Sequence, residues 1–176
     1  MRPLLLALAA LAASPAPAAE RLLATVPEGF VIGDKARSAG PGNVYELVPE
    51  GETVEDWSQM ITVQALPPMP DVAAWMKGFA DTMARACPEG GFDPIAQVEE
   101  DGFDIFVAFA GCPVSPRDGR PVFLLVKAAA GQEAMHVVQW AWSGDTPDQA
   151  AVDRAGSYLA KTRLCDGSHT APCPEG

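Results

Sequence analysis

The chain has 176 residues, of which 48% are hydrophobic and 20% charged, so it can bury a core and is too apolar for wholesale disorder. Its 12 basic and 23 acidic residues give a formal net charge of −11. Nucleic acid and anionic membrane surfaces would repel such a protein, and we expect neither as a partner.

The N-terminus has the three-part form of a secretory signal peptide. Arg2 is the positive start, Leu4 to Ala13 is the apolar run, and Ala16 to Ala19 supply small residues for cleavage. A bilayer span takes about 20 apolar residues, so this run is too short to be one, and no later stretch is long enough. With no cysteine after the small residues, no lipid anchor is expected. We therefore predict a signal peptide over residues 1–19 and a single exported domain over 20–176, periplasmic or secreted.

Three strands are predicted before the first helix. Phe30 to Ile32 form a short strand and Asn43 to Val48 a second, separated by the loop Ser38 to Gly42. Trp57 to Leu66 alternate between two faces with a period of two, which is typical of a half-buried strand. This alternation places Trp57, Gln59, Ile61, Val63 and Ala65 together on one face.

The first helix is predicted from Asp71, its cap, to Ala86. Apolar residues at helical spacing give it one buried stripe, made of Val72, Trp75, Met76, Phe79 and Met83.

Four successive strands follow and form an antiparallel meander. Asp-Gly and Ala-Gly-Gln turns separate β-rich runs, a pattern that predicts hairpins. Both faces of these strands are apolar, so a helix, the N-terminal strands or a partner must cover the second face. The strands are predicted over Phe92–Glu100, Phe103–Cys112, Pro121–Ala130 and Glu133–Ser143.

The second helix is predicted from Pro147 to Leu164. Thr146 and Gln149 have the spacing of a capping box, with Pro147 at the first helical position. Its buried stripe is narrow and rich in alanine, which favours close packing on the sheet. The stripe is Val152, Ala155 and Leu159, flanked by Ala151 and Tyr158.

Together these elements predict an α+β fold with a mostly antiparallel sheet, in the order three strands, helix, four-strand meander, helix. This element order resembles the layout of the PsbP/Mog1-like domains, and the chain looks like the small exported bacterial proteins of unknown function. The resemblance implies a binding or assembly role by analogy, and it transfers no functional residue.

An even number of cysteines in an exported chain indicates disulfides. Cys165 and Cys173 bracket a turn-rich tail, where a local bridge is sterically easy. Cys87 ends the first helix and Cys112 ends the second meander strand, so the two ends can meet at one edge of the sheet. We predict the pairs Cys87–Cys112 and Cys165–Cys173, a pairing that staples the tail. Cys87–Cys165 with Cys112–Cys173, and Cys87–Cys173 with Cys112–Cys165, stay open as alternatives.

The stretch Cys165 to His169 spells the signature of the CDGSH iron–sulfur proteins. That family holds its cluster with three cysteines and one histidine, and a Cys-x-Cys pair lies shortly upstream. Here Arg154 to Leu164 contain no cysteine, so two thiolate ligands are missing. We therefore predict no iron, no other metal and no cofactor.

The candidate binding residues are His136, Trp140 and Trp142, which share one strand face. Aromatic side chains on a sheet can stack on a ligand, although burial beneath a helix explains them equally well. No nucleophile elbow and no cluster of metal ligands is present in the sequence, so enzymatic activity is uncertain and less expected than binding. The favoured hypothesis is a non-enzymatic module that binds a small apolar ligand or an envelope protein. The alternative is a small hydrolase with a site assembled around His136.

Overall fold

The computed structural model describes residues 19–37, 43–168 and 170–174. The predicted signal peptide, apart from Ala19, and the predicted loop Ser38 to Gly42 lie outside the described residues. None of the described helices is long and apolar enough to cross a membrane. The elements are β1 (Arg21–Leu23), β2 (Phe30–Arg37), β3 (Asn43–Pro49), β4 (Gln59–Leu66), α1 (Val72–Ala86), β5 (Gly91–Glu100), β6 (Phe103–Cys112), β7 (Val122–Ala130), β8 (Met135–Ser143), α2 (Gln149–Lys161) and β9 (Arg163–Cys165).

One large antiparallel sheet carries the fold, with its strands in the order β2-β3-β4-β8-β7-β6-β5. Two antiparallel units, β2–β4 and β5–β8, meet along the β4–β8 pair, where Ile61 lies opposite Trp140. A second, two-stranded sheet pairs β1 with β9. The predicted α+β class and the four-strand meander are confirmed.

Helix α1 covers one face of the large sheet. The Asp71 carboxylate accepts a hydrogen bond from the Ala74 N–H at 2.9 Å, which caps the helix as predicted. Its apolar stripe packs on short side chains of the meander, because alanines at the centre of the sheet let the helix approach closely. The core on this face consists of Val72, Met76, Ala108, Ala110, Leu124, Val126, Ala128, Met135 and Val137, with Trp75, Phe79 and Met83 against it.

Helix α2 covers the opposite face, which explains why the meander strands are apolar on both sides. Its buried residues are Ala155 and Leu159, two of the three residues of the predicted stripe, while Val152 is only half-buried. They pack on a larger aromatic and aliphatic cluster that includes Leu47, Ile61, Leu125, Val138, Trp140 and Trp142.

The start predicted for α2 is wrong. Its N-cap is Asp148, whose carboxylate accepts from the Ala151 N–H at 2.8 Å, and Asp148 itself has an extended backbone. A carboxylate at a helix N-terminus also gains from the helix dipole, which a threonine hydroxyl does not, so Asp148 prevails over Thr146. The predicted end is wrong too, because α2 stops at Lys161 and Leu164 belongs to β9.

Replacing Asp148 by alanine is expected to lower the free energy of unfolding by about 1 kcal/mol, since the capping acceptor is lost. Replacing the exposed Thr146 by alanine is the matched control and is expected to change it by less than about 0.5 kcal/mol. Urea denaturation of the two variants checks both values. A larger loss for Thr146→Ala would show that the threonine caps the helix in solution.

Three smaller differences separate the sequence prediction from the structure. Strand β2 extends to Arg37 instead of ending at Ile32, and β1 and β9 were not predicted. Trp57 precedes β4 and packs with Val48 and Met60, away from the cluster that contains Ile61. The predicted shared face of Trp57 and Ile61 is therefore wrong, because the period of two begins only at Gln59.

Both predicted disulfides are present. Cys87 and Cys112 join the end of α1 to the end of β6, with their Cα atoms 5.8 Å apart. Cys165 and Cys173 staple the tail to the end of β9, with a Cα separation of 5.1 Å. No described cysteine is free, so the two alternative pairings are excluded.

Candidate functional site

The N-terminal segment, residues 19–29, crosses the α2 face of the sheet before the chain enters β2. Its first part is fixed by β1, in which Leu22 lies opposite Leu164 of β9. Farther along, the Tyr158 hydroxyl of α2 donates a hydrogen bond to the Thr25 carbonyl oxygen at 2.9 Å. The β1–β9 pairing and this hydrogen bond hold the segment over the part of the sheet that α2 does not cover.

An apolar crevice of about 240 Å³ lies beneath this segment. It forms because α2 packs on the centre of the sheet, while the side chains that β2, β3 and β4 direct to the same face extend past it. Tyr45 and Tyr158 contribute rings to its walls. The aliphatic part of the lining is Leu22, Ala24, Val26, Ile32, Leu47 and Val63.

A wider outer cavity of about 570 Å³ adjoins the crevice, and the two share Thr25 and Tyr158. Its floor is aromatic, because Trp140 meets Phe30 edge to face with the ring centroids 5.3 Å apart. Its helix side is polar and consists of Asp153, Arg154, Ser157 and Lys161 of α2.

Trp140, one of the predicted binding residues, lines the outer cavity. Its indole N–H donates to the Gln59 side-chain oxygen at 3.0 Å, and its ring lies edge to face with Tyr158 at 5.4 Å. These contacts fix the ring with only 6% of its surface exposed. The fixed ring gives the cavity a preformed aromatic floor.

Trp142, the second predicted tryptophan, stacks on Trp140 with the centroids 6.4 Å apart. It is buried, and its indole N–H has no hydrogen-bond partner among the described residues. Trp142 thus packs against the Trp140 ring and does not line either cavity.

His136 is separated from both tryptophans in its contacts. Its Nε2 lies 2.8 Å from the Glu20 carboxylate, and the two side chains are only 9% and 3% exposed. The same carboxylate accepts the Gln132 N–H at 2.7 Å. A Cβ atom at Gly131 would collide with the Glu20 carboxylate, so glycine leaves the space that the carboxylate occupies. We call this arrangement the Glu20 anchor, because it attaches the N-terminal segment to β8 and the preceding turn.

Nothing in the sequence indicated the Glu20 anchor, since a glutamate next to a predicted cleavage site gives no sign of burial. A second buried charge did leave a signal. Lys127 interrupts the apolar run of β7, and a lysine inside a central strand needs partners. Its ammonium group donates to the carbonyl oxygens of Leu159 and Thr162 at 3.3 and 3.0 Å, and it pairs with Glu100. Lys127 therefore fixes the end of α2 to the sheet.

The described residues contain no group of three or more histidine, cysteine and carboxylate side chains that could hold a metal ion. Cys165, the first residue of the CDGSH-like stretch, is bonded to Cys173 and so offers no thiolate. His169 lies outside the described residues.

Burial raises the pKa of Tyr158 to about 12, because the phenolate would lose its hydration between the two cavities. A raised pKa favours the neutral phenol in the folded state, so the stability from this group is complete below about pH 10 and is lost as the pH rises toward 12. We expect the difference between the ultraviolet titrations of the wild type and Tyr158→Phe to show a phenolate forming near pH 12. A transition near pH 10 would mean that the hydroxyl is open to water.

No protein-family model matches the chain, and no curated protein matches its sequence. Among solved structures it is similar to a point mutant of protein Mog1, with 15% identity over 78% of each chain and a TM-score of 0.47. It is also similar to the Ran-binding protein Mog1p of Saccharomyces cerevisiae, with 14% identity over 80% of this chain and 84% of that one and a TM-score of 0.46. A third similar structure is LpqN, involved in cell envelope biogenesis of Mycobacterium tuberculosis, with 15% identity, coverage of 85% and 86%, and a TM-score of 0.43. At these values the likeness concerns the general arrangement of strands and helices and assigns no functional residue.

Proposed function

We propose that the chain is an exported, non-enzymatic module that binds a small apolar ligand in the crevice. The observation that carries the proposal is the lining of the crevice, where aliphatic side chains from β1, β2, β3 and β4 meet two tyrosine rings. Binding sites for small molecules are typically concave and mostly apolar, with a few polar groups that orient the ligand. Export is supported by the signal-like N-terminus and by two disulfides, which persist in oxidising compartments.

Another cavity, of about 450 Å³, supports a binding function less well. Its walls are largely turns, around Asp101 and Gly102, Gly131 and Gln132, and Asp166. Turn backbones present polar groups that water satisfies, so an apolar ligand gains little there. The crevice instead has a floor of strand side chains, and this difference favours it as the site.

The geometry around His136 favours binding over hydrolysis. Its Nε2 is engaged by Glu20, both side chains are buried, and neither the crevice nor the outer cavity includes the imidazole. A general base must be within hydrogen-bond reach of a proton on a bound substrate. The contacts of His136 instead serve to attach the N-terminal segment.

An envelope protein is the second candidate occupant. Val26 and Ile32, at the rim of the crevice, are 50% and 56% exposed, which would suit an apolar side chain inserted by a partner. A native mass spectrum of the protein purified from the periplasm distinguishes the two candidates. A small bound mass supports the ligand, and a co-purifying protein whose complex is lost when Val63 is changed to phenylalanine supports the partner.

Titration with the uncharged fluorophore N-phenyl-1-naphthylamine tests the proposed function directly. We expect saturable binding to one site, and Val63→Phe is expected to weaken it by about tenfold or more because the larger ring fills the crevice. Val98→Phe is the matched control, since Val98 is 46% exposed on β5 and lies outside the crevice. Absence of saturable binding to the wild type, or equal weakening by both variants, would refute the proposal.

A further inference from the structure

From the two adjoining cavities we infer the class of ligand: a single-chain amphiphile with an anionic headgroup. The alkyl chain lies in the crevice, and the headgroup lies in the outer cavity over Arg154 and Lys161. This inference rests on the proposed function, because it takes the crevice to be the site.

The first step concerns size. Small-molecule sites usually enclose about 300–1,000 Å³, and the crevice, at about 240 Å³, falls below that range. That volume is roughly eight times the ~30 Å³ that one water molecule occupies in the liquid, which is room for one alkyl chain and not for two. A ligand that fills the crevice must therefore continue past Thr25 and Tyr158 into the outer cavity.

The second step concerns the change of chemistry along this path. Aliphatic side chains of the N-terminal segment and of three strands enclose the crevice. The outer cavity opens toward solvent and presents Gln59, Ser157 and the charged residues of α2. An apolar wall at one end and hydrogen-bonding groups at the other complement an amphiphile, since a wholly apolar molecule would leave the polar end unused.

The third step concerns charge. Arg154 and Lys161 lie two helical turns apart on α2, are exposed, and make no ion pair or hydrogen bond with another described residue. The outer cavity also contains two carboxylates, Glu28 and Asp153, and the Asp153 carboxylate accepts a hydrogen bond from the Gln149 amide at 2.8 Å, which leaves its negative charge in place. The formal charge of the lining is therefore zero, in a chain whose formal charge is −11, and neither cation forms an ion pair with Glu28 or Asp153. The helix dipole favours a cation at Lys161, in the last turn of α2, whether or not a ligand binds there. Arg154 is therefore the stronger evidence for an anionic headgroup.

The test compares three ligands that share one alkyl chain: decanoate, decanol and decyltrimethylammonium. The two ionic ligands are kept below their micellar concentrations, and decanol is kept below its solubility limit. Each displaces N-phenyl-1-naphthylamine from the wild type in the expected result, and decanoate binds about tenfold more tightly than the other two, because two partly exposed ion pairs are formed. The double variant Arg154→Gln, Lys161→Gln is expected to lose that tenfold preference while its affinity for decanol is unchanged. Glu28→Gln is expected to strengthen decanoate binding only.

A charge-matched control is the double variant Lys77→Gln, Arg85→Gln, which removes two cations from α1 on the other side of the sheet. It should leave all three affinities unchanged, and thermal denaturation verifies that every variant is folded. Equal affinities for decanoate and decanol, or preference for the ammonium ligand, would overturn the anionic headgroup and leave the proposed function intact. If none of the three ligands displaces the fluorophore, the inference fails; if the fluorophore itself does not bind, the proposed function fails as well.

Discussion

Replacing Cys87 and Cys112 together by alanine is expected to lower the free energy of unfolding by about 3.5 kcal/mol, because the chain-entropy model assigns that value to a closed loop of roughly 26 residues. The bridge ties the end of α1 to the last residue of β6, so its loss also frees the connection between the helix and the edge of the sheet. Both cysteines are buried, and alanine leaves only a small void. Urea denaturation at neutral pH measures the loss.

The matched control is the double replacement of Cys165 and Cys173, whose shorter loop of roughly nine residues is worth about 2.6 kcal/mol in the same model. The order of the two effects is as informative as their size. A greater loss for the tail bridge than for the Cys87–Cys112 bridge would show that packing of the tail outweighs loop length, and would contradict the prediction.

Replacing Glu20 by alanine is expected to cost about 3 kcal/mol, since the Gln132 N–H and the buried His136 ring both lose their carboxylate acceptor. Glu28→Ala is the control from the same segment: Glu28 is exposed, and a change of less than about 0.5 kcal/mol is expected. Loss of the anchor also frees β1 and the wall of the crevice, so we expect binding of N-phenyl-1-naphthylamine to weaken in Glu20→Ala.

A double-mutant cycle gives this prediction a second measurement. In Gly131→Ala the new methyl group occupies the position of the Glu20 carboxylate and displaces it, so the single variant is expected to be destabilised nearly as much as Glu20→Ala. Once Glu20 is alanine, the methyl group meets no carboxylate. The two effects should therefore be strongly non-additive. Additive effects would mean that Gly131 serves the turn alone.

The sequence was most informative where one period extended over many residues. Strand β6 was predicted with its true bounds because apolar side chains alternate along all of it, and α1 because its stripe continues from a clear aspartate cap. Strands β1 and β9 have three residues each, fewer than any period needs to become visible. The start of α2 was misplaced because the spacing of Thr146 and Gln149 matches a capping box, whereas Asp148 caps the helix.

The candidate site was less accessible to sequence reasoning because no local pattern contains it. Trp140 could be placed on a strand face, and the structure puts it at the floor of a cavity. The crevice, however, exists only because α2 stops short of the outer strands, and the Glu20 anchor joins residues from opposite ends of the chain. Lys127 is the exception, since a lysine within an apolar central strand indicates that buried partners exist, although it does not indicate which residues they are.

The β4–β8 pair has a consequence for the order in which the molecule can fold. Every other neighbouring pair in the large sheet is consecutive in the chain, whereas β4 and β8 are separated by roughly 70 residues. Within that sheet, this one pairing therefore bears the entropy of closing a long loop. The N-terminal unit is synthesised first, so β4 exposes an unpaired edge until β8 pairs with it. Until then Ile61 and Val63 have no cover from the meander, and the incompletely folded chain is most vulnerable to aggregation in that interval.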